Sequence, residues 1–301
     1  MTFIAAITSR HTIWLVADRR LSYRGRHPKD DARKILFLET TDGVAILGYA
    51  GLGATGLGTE PSDWMGRVLR GRNLPLEQSL SVIADAMKAQ LPKHLRHTAL
   101  QDKASHVVIA PAFVGKHTRL YSIDMSVSGS GKPTGFRYTR FNNGKVDWPP
   151  RFGFSGSGSN HLPRGSQWFR QLLRLVNAHD RGRVSAYVVA DALAALSYDV
   201  HQRDRSTGPN CIVAWRYARH GRHKGGGAQA FYERTSRVRP GITLPTIGRG
   251  RDMGAFIQAI LPFMGSQLEA LRRGEPDPGI DSAAMMEAVN CLPVTPNDDL
   301  T

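Results

Sequence analysis

Two cysteines, Cys211 and Cys291, are the only thiols in 301 residues. Neither has a partner at metal-ligand spacing, so the sequence points to neither a zinc site nor a disulfide framework. Cys211 lies in the apolar run Cys211-Ile212-Val213-Ala214-Trp215, where a thiol behaves as a small inert hydrophobe. Long hydrophobic runs are also missing. No stretch approaches about 18 uninterrupted apolar residues, and no basic flank precedes an apolar run at the N-terminus. The expectation is a cytoplasmic protein with reduced thiols, without signal peptide or membrane span. Acidic residues are few: 25 Asp and Glu stand against 40 Lys and Arg, a formal charge of +15. Such an excess admits nucleic acid as a partner. The basic residues are scattered, however, with clusters at 19–20, 216–224 and 249–251, and no helix-turn-helix, zinc finger or stacking-aromatic motif accompanies them. A solvated basic surface is the favoured reading, and nucleic acid is not the favoured partner.

What is present is a soluble globular composition, 41% hydrophobic and 22% charged. The chain is long enough for one substantial core or two small ones. Its most informative stretch is its beginning, Met1-Thr2-Phe3-Ile4-Ala5-Ala6-Ile7. Removal of an initiator Met before a small residue is expected, which would start the mature chain at Thr2. A threonine at a free N-terminus has its hydroxyl and its amine on adjacent carbons, a nucleophile with a base of its own.

The apolar run 3–17 is broken at Thr8-Ser9-Arg10-His11, which predicts two short strands joined by a turn, the second delivering Asp18 at its end. Lys34 opens a further strand over 34–38. Asp42-Gly43 is a hairpin signal, and the strand 44–50 runs into the glycine-rich segment 51–56. Pro61-Ser62-Asp63 and Pro75 each start a helix. Strands are expected within 107–138 and helices near 167–178 and 184–200, with a strand at 211–215 after them. Ser128-Gly129-Ser130-Gly131 and Asn142-Asn143-Gly144 read as turns. Helix pairs between runs of hairpin-linked strands predict an α+β fold in which two sheets lie between helix layers, a four-layer αββα sandwich. Beyond residue 220 the expectation is a separate C-terminal extension, 221–301. It holds a Gly225-Gly226-Gly227 linker, a helix near 252–272 and an acidic, proline-bearing end.

With these residues in view, the chain resembles the proteasome β subunits and their bacterial relatives among the N-terminal nucleophile hydrolases. Counted from Thr2, the segment Ala17-Asp18-Arg19-Arg20 is similar to that family's Ala-Asp-x-Arg. Ser22 stands where a hydroxyl is usual, and Lys34 falls at the catalytic lysine without a gap. Ala50-Gly51 resembles the glycine turn, Gly156-Ser157-Gly158 the Gly-Ser-Gly, and Arg203-Asp204-Arg205-Ser206-Thr207-Gly208 the Arg-Asp-x-x-Ser-Gly. The resemblance covers about residues 2–218 and implies a threonine-type endopeptidase in 1–220. Its substrate would be a peptide or protein and it would use no metal or cofactor. It also implies a homo-oligomer, with a ring and an ATPase partner left open.

Acyl transfer needs a nucleophile, a base, a group that tunes the base, and donors for the oxyanion. Thr2 would be the nucleophile and its α-amine the base. Lys34 would be the positive neighbour that depresses the amine, with Asp18 as counter-ion to Lys34. Gly51 would offer a backbone N–H to the reacting carbonyl. Ser157, Asp204 and Thr207 would hydrogen-bond the amine or a relaying water. Two other functions stay open on the sequence: an amidase for a small acyl amide, and a non-catalytic assembly or nucleic-acid-binding protein.

Overall fold

Strands near the N-terminus of this chain, 4–8, 12–18 and 43–50, are buried along their whole length because each is covered on both faces. In the computed structural model, which describes residues 2–21, 27–51, 60–94, 106–127, 133–141, 150–162, 167–219, 223–233, 243–276 and 279–293, the strands form two sheets. The first sheet contains β1 (Ile4–Thr8), β2 (Thr12–Asp18), β8 (Arg151–Ser155), β9 (Cys211–Tyr217) and β10 (Gly226–Phe231), in the order β10-β9-β2-β1-β8. The second contains β3 (Ile35–Glu39), β4 (Gly43–Ala50), β5 (Val107–Val114), β6 (His117–Val127), β7 (Pro133–Arg140), β11 (Thr246–Gly248) and β12 (Arg251–Asp252). Its order is β12-β11-β3-β4-β5-β6-β7. All neighbours pair antiparallel except β11 with β3, which run parallel.

Alternation along each strand sorts the side chains into three buried clusters. Ile4, Ala6, Ile13 and Leu15 of the first sheet meet Ile35, Phe37, Val44 and Ile46 of the second. The sheets approach closely there: a Cβ on Gly48 would stand 2.8 Å from Leu15 Cδ2. Phe3, Ala5, Ile7, Trp14 and Val16 face α3 (Gln167–Asp180) and α4 (Ala186–Arg203), whose apolar positions complete a second cluster. Leu36, Leu47 and Val108 face α1 (Pro61–Leu69) and α2 (Leu76–His94) in the third. The fold is therefore α+β, with helices on a face of each sheet.

Local signals explain the connections. Asp42-Gly43 turns the β3–β4 hairpin, and Asp42 Oδ1 also accepts from the Leu76 amide (2.8 Å), which ties the start of α2 to that turn. Asp252 caps α5 (Met253–Arg273), accepting from Gly254 and Ala255 N, and Gly274 ends it in the left-handed region. Among the described residues, no helix is long and apolar enough to cross a membrane.

Two expectations are corrected here. Gly225-Gly226-Gly227 is no linker, because Gly226 opens β10, which pairs with β9 from Gly226↔Arg216 to Phe231↔Cys211. The end of the chain also holds a helix that was not expected, α6 (Ser282–Asn290), capped by Asp281 and packed on α5. The expected turns at 128–131 and 142–144, and Ser22, lie outside the described residues.

Candidate active site

One end of the first sheet gathers the start of β1, the end of β2, the end of β8 and the start of β9. The register fixes this, with Ile4 opposite both Ala17 and Ser155, and Asp18 opposite Cys211. Thr2 precedes β1 and Asp18 closes β2, so the two meet across the strand pair. Phe3 N donates to Asp18 Oδ1 (2.8 Å) and Asp18 N donates to Phe3 O (3.1 Å).

Lys34 enters from the second sheet. It stands just before β3, where its carbonyl accepts from Tyr49 N of β4 (3.0 Å). Its Nζ donates to Thr2 Oγ1 at 3.0 Å and lies 3.2 Å from both Asp18 carboxylate oxygens. Lys34 is 2% exposed and Asp18 1%, so neither charge is served by bulk water and each depends on the other. Burial pulls the Lys34 pKa below its ordinary value, against the opposing charge and hydrogen bond of Asp18. Asp18 is further held as a carboxylate acceptor by Arg20 N (3.0 Å) and Gly208 N (3.1 Å) on Oδ2. The Arg20 guanidinium is itself pinned to Asp30 through Nε (2.7 Å) and Nη2 (2.6 Å), a two-point contact that fixes the turn after β2.

Ser157, Asp204 and Thr207 form a second group beside the first. Ser157 Oγ donates to Asp204 Oδ2 (3.4 Å), while Ser206 donates to Asp204 Oδ1 through its amide (3.0 Å) and its hydroxyl. Burial works to raise the Asp204 pKa, but the Ser206 hydrogen bonds, the nearby His161 and the Ser157 hydroxyl together outweigh it and the net direction is down. The Thr207 hydroxyl donates to the Asp204 main-chain carbonyl (2.8 Å). The two groups are joined by backbone. Gly158 N, next to Ser157, donates to Thr2 O (3.4 Å), and Gly208 N, next to Thr207, reaches Asp18. Gly156 has φ +84, and a Cβ there would stand 1.9 Å from Thr2 O, so only glycine lets β8 turn against Thr2.

Gly51 ends β4 with φ +144, two residues after the Tyr49 that pairs with Lys34. A Cβ on Gly51 would stand 2.4 Å from His106 Nδ1. His106 is a residue the sequence did not single out. It is fully buried, its Nδ1 is 2.7 Å from the Tyr49 hydroxyl, and its Nε2 has no hydrogen-bond partner among the described residues. Burial lowers its pKa to about 4, so it is neutral near pH 7. Lys34, Thr2 and Asp18 are in direct contact. The Ser157, Asp204 and Thr207 side chains bond among themselves and their neighbours, while Gly51 stands against His106. Among the described residues, no group of His, Cys, Asp and Glu is arranged to hold a metal ion.

No family model and no curated protein matches this chain. Among solved structures it is similar to Anbu (ancestral beta-subunit) from Yersinia bercovieri, at 12% identity and a TM-score of 0.44, covering 92% of this chain and 100% of that one. It is also similar to a helical assembly of the Anbu complex from Pseudomonas aeruginosa, at 13% identity and a TM-score of 0.46, covering 93% and 99%. Anbu from Hyphomicrobium sp. strain MC1 is similar at 13% identity and a TM-score of 0.43, covering 71% and 82%. These findings correct the family expected from the sequence. The chain is similar to Anbu structures, and the assignment to the proteasome β subunits as threonine peptidases of the N-terminal nucleophile class, expected from the sequence, does not stand.

Proposed function

We propose that this protein hydrolyses amide bonds in peptides, with the hydroxyl of Thr2 as nucleophile once Met1 has been removed. The observation that carries this reading is Lys34 Nζ lying between Thr2 Oγ1 and the Asp18 carboxylate. Thr2 Oγ attacks the carbonyl carbon, and its proton passes to the freed α-amine of Thr2. The C–N bond breaks as that proton moves to the leaving amine, and an ester on Thr2 remains. Water, deprotonated by the same amine, cleaves the ester and restores the hydroxyl. The Lys34 ammonium favours negative charge on Oγ and depresses the amine, whose ordinary pKa is about 7.7–8.0. Asp18 keeps Lys34 charged. Gly51 N–H is the proposed oxyanion donor, and Ser157, Asp204 and Thr207 hold the two turns that position the nucleophile.

The three buried clusters support an αββα order of layers. The residues proposed as catalytic all lie within 1–220, and the chain beyond adds β10 to one edge of the first sheet, β11 and β12 to one side of the second, and two helices.

The protein is further proposed to work as a homo-oligomer. Ile257, Leu261, Met264, Leu268 and Leu271 of α5 alternate four and three apart, and each is 44% to 77% exposed. That is the spacing of a helix–helix seam. Its flanks are uncharged at Gln258, Gly265 and Gln267, and a charge enters only at Arg272 in the last turn, so a second copy of a chain at +15 can approach along the first turns of the seam with little repulsion.

The test of the reading is Thr2→Ala. It should remove both peptide turnover and labelling by a peptide vinyl sulfone while the fold survives. Retained turnover would refute the nucleophile.

A further inference from the structure

We propose that a cavity of about 550 Å³, whose lining ends at Ser155 next to the Gly156 that turns against Thr2, is a subsite for a bulky apolar side chain of the substrate, within two residues of the bond that is cut. This rests on the Thr2 reading and names the substrate class that reading leaves open. The cavity lies between β8 of the first sheet and β5 and β6 of the second. Its walls are Phe141, Phe152, Phe154, Phe169, Ile109 and Leu120. A volume of this order accommodates a ligand side chain and its neighbours.

The register shows which end of the cavity opens toward the site. Ser155 lines it, pairs with Ile4 and precedes the Gly156 that turns against Thr2. Val107 also lines it, pairs with Ala50 and directly follows His106, the residue that stands against Gly51. The near end therefore sits between the nucleophile's strand and the proposed oxyanion donor. The far end is Arg151, opposite Thr8, about 13 Å along β8.

The lining chemistry selects the occupant. Phe141 is 58% exposed and Phe169 41%, an uncommon display of aromatic surface, and Phe169 already meets Phe152 at 4.7 Å between ring centroids. Asp124 at the near end accepts the Ser122 hydroxyl. An aromatic or large aliphatic side chain fits this surface better than a charged one. Gly153 sets the depth, since a Cβ there would stand 3.0 Å from Leu120 Cδ2.

The experiment digests a mixed peptide library with the full chain and maps every cut by mass spectrometry, after a small β-lactone has been shown to label Thr2. Phe, Tyr, Trp or Leu should be enriched within two residues of the cut. Phe141→Ala and Phe169→Ala should each lower that enrichment severalfold and raise KM about tenfold for peptides that carry such a residue. Val188→Ala, at an exposed apolar position on α4, should keep the wild-type spectrum. No lactone adduct would remove the Thr2 reading and the subsite with it. Labelling at Thr2 without the enrichment, or with the enrichment unaffected by either Phe variant, would overturn the subsite alone.

Discussion

Lys34 Nζ stands 3.0 Å from Thr2 Oγ1, reached from the opposite sheet across the joint between the two. The contact of Thr2 with an ammonium thus depends on how the sheets are packed together. Lys34→Ala should lower peptide turnover by on the order of 10²-fold or more, the range that assistance to proton transfer supplies. Lys34→Arg should fail as well, because a planar guanidinium does not fit a site shaped for a compact ammonium. Steady-state rates on a fluorogenic peptide measure both, and a full-speed Lys34→Ala enzyme would remove the mechanism.

Asp18 supplies the second half of that arrangement, and its loss has a signature in pH. Lys34 titrates below its ordinary value because it is buried, and Asp18 opposes that shift. Activity that needs the ammonium should fall as pH rises through the Lys34 pKa. Asp18→Asn withdraws the raising effect, so this alkaline limb should move to lower pH. Stability should drop too, by about 3–5 kcal/mol if Lys34 is left charged and unpaired. The Lys34 pKa lies lower folded than unfolded, so between the two values the unfolded chain binds more protons. This group's contribution to stability therefore improves as pH rises through that window. Rate–pH profiles and urea unfolding of Asp18→Asn check the two statements separately.

Gly156 and Gly182 offer a matched pair. Both have positive φ, +84 and +71, so alanine at either carries a strain of about 1–2 kcal/mol. Only at Gly156 does the new Cβ run into Thr2 O; at Gly182 nothing lies within 4 Å. Gly156→Ala should cost most of the turnover, whereas Gly182→Ala should lower the melting temperature slightly and leave the rate intact. Equal rates for the two would show that the turn does not position Thr2.

The α5 seam predicts a change of assembly. Leu261→Glu with Leu268→Glu should reduce the particle mass seen by multi-angle light scattering, without unfolding, because both side chains are more than half exposed in the single chain. An oligomer of unchanged mass would place the interface elsewhere.

How much of this could be read beforehand differs by residue. Asp42-Gly43 and Pro61 were legible because turn and helix starts depend on local backbone chemistry. Lys34 and Asp18 were singled out by their separations from Thr2, and the fold brings these three into contact. The amides of Phe3, Arg20 and Gly208 that converge on Asp18 were not legible, since every residue but proline carries such a donor and only the tertiary fold aims it. β10 was missed because glycines read as breaks. Here the missing side chain is what the strand needs, for a Cβ on Gly227 would stand 2.5 Å from the Trp215 ring. His106 meets Tyr49 across 57 positions of sequence, and no local pattern joins them. α6 is short and has no buried residue, so it lacks the apolar stripe by which helices are recognised.

The central claim is that a free Thr2 is the nucleophile, and the intact mass of the purified protein tests it most directly, before and after a β-lactone. The account predicts a chain lighter by one methionine that gains a single adduct, located at Thr2 by peptide mapping and absent from Thr2→Ala. A chain that keeps Met1 and is fully active, or an adduct that forms anywhere else, would contradict it.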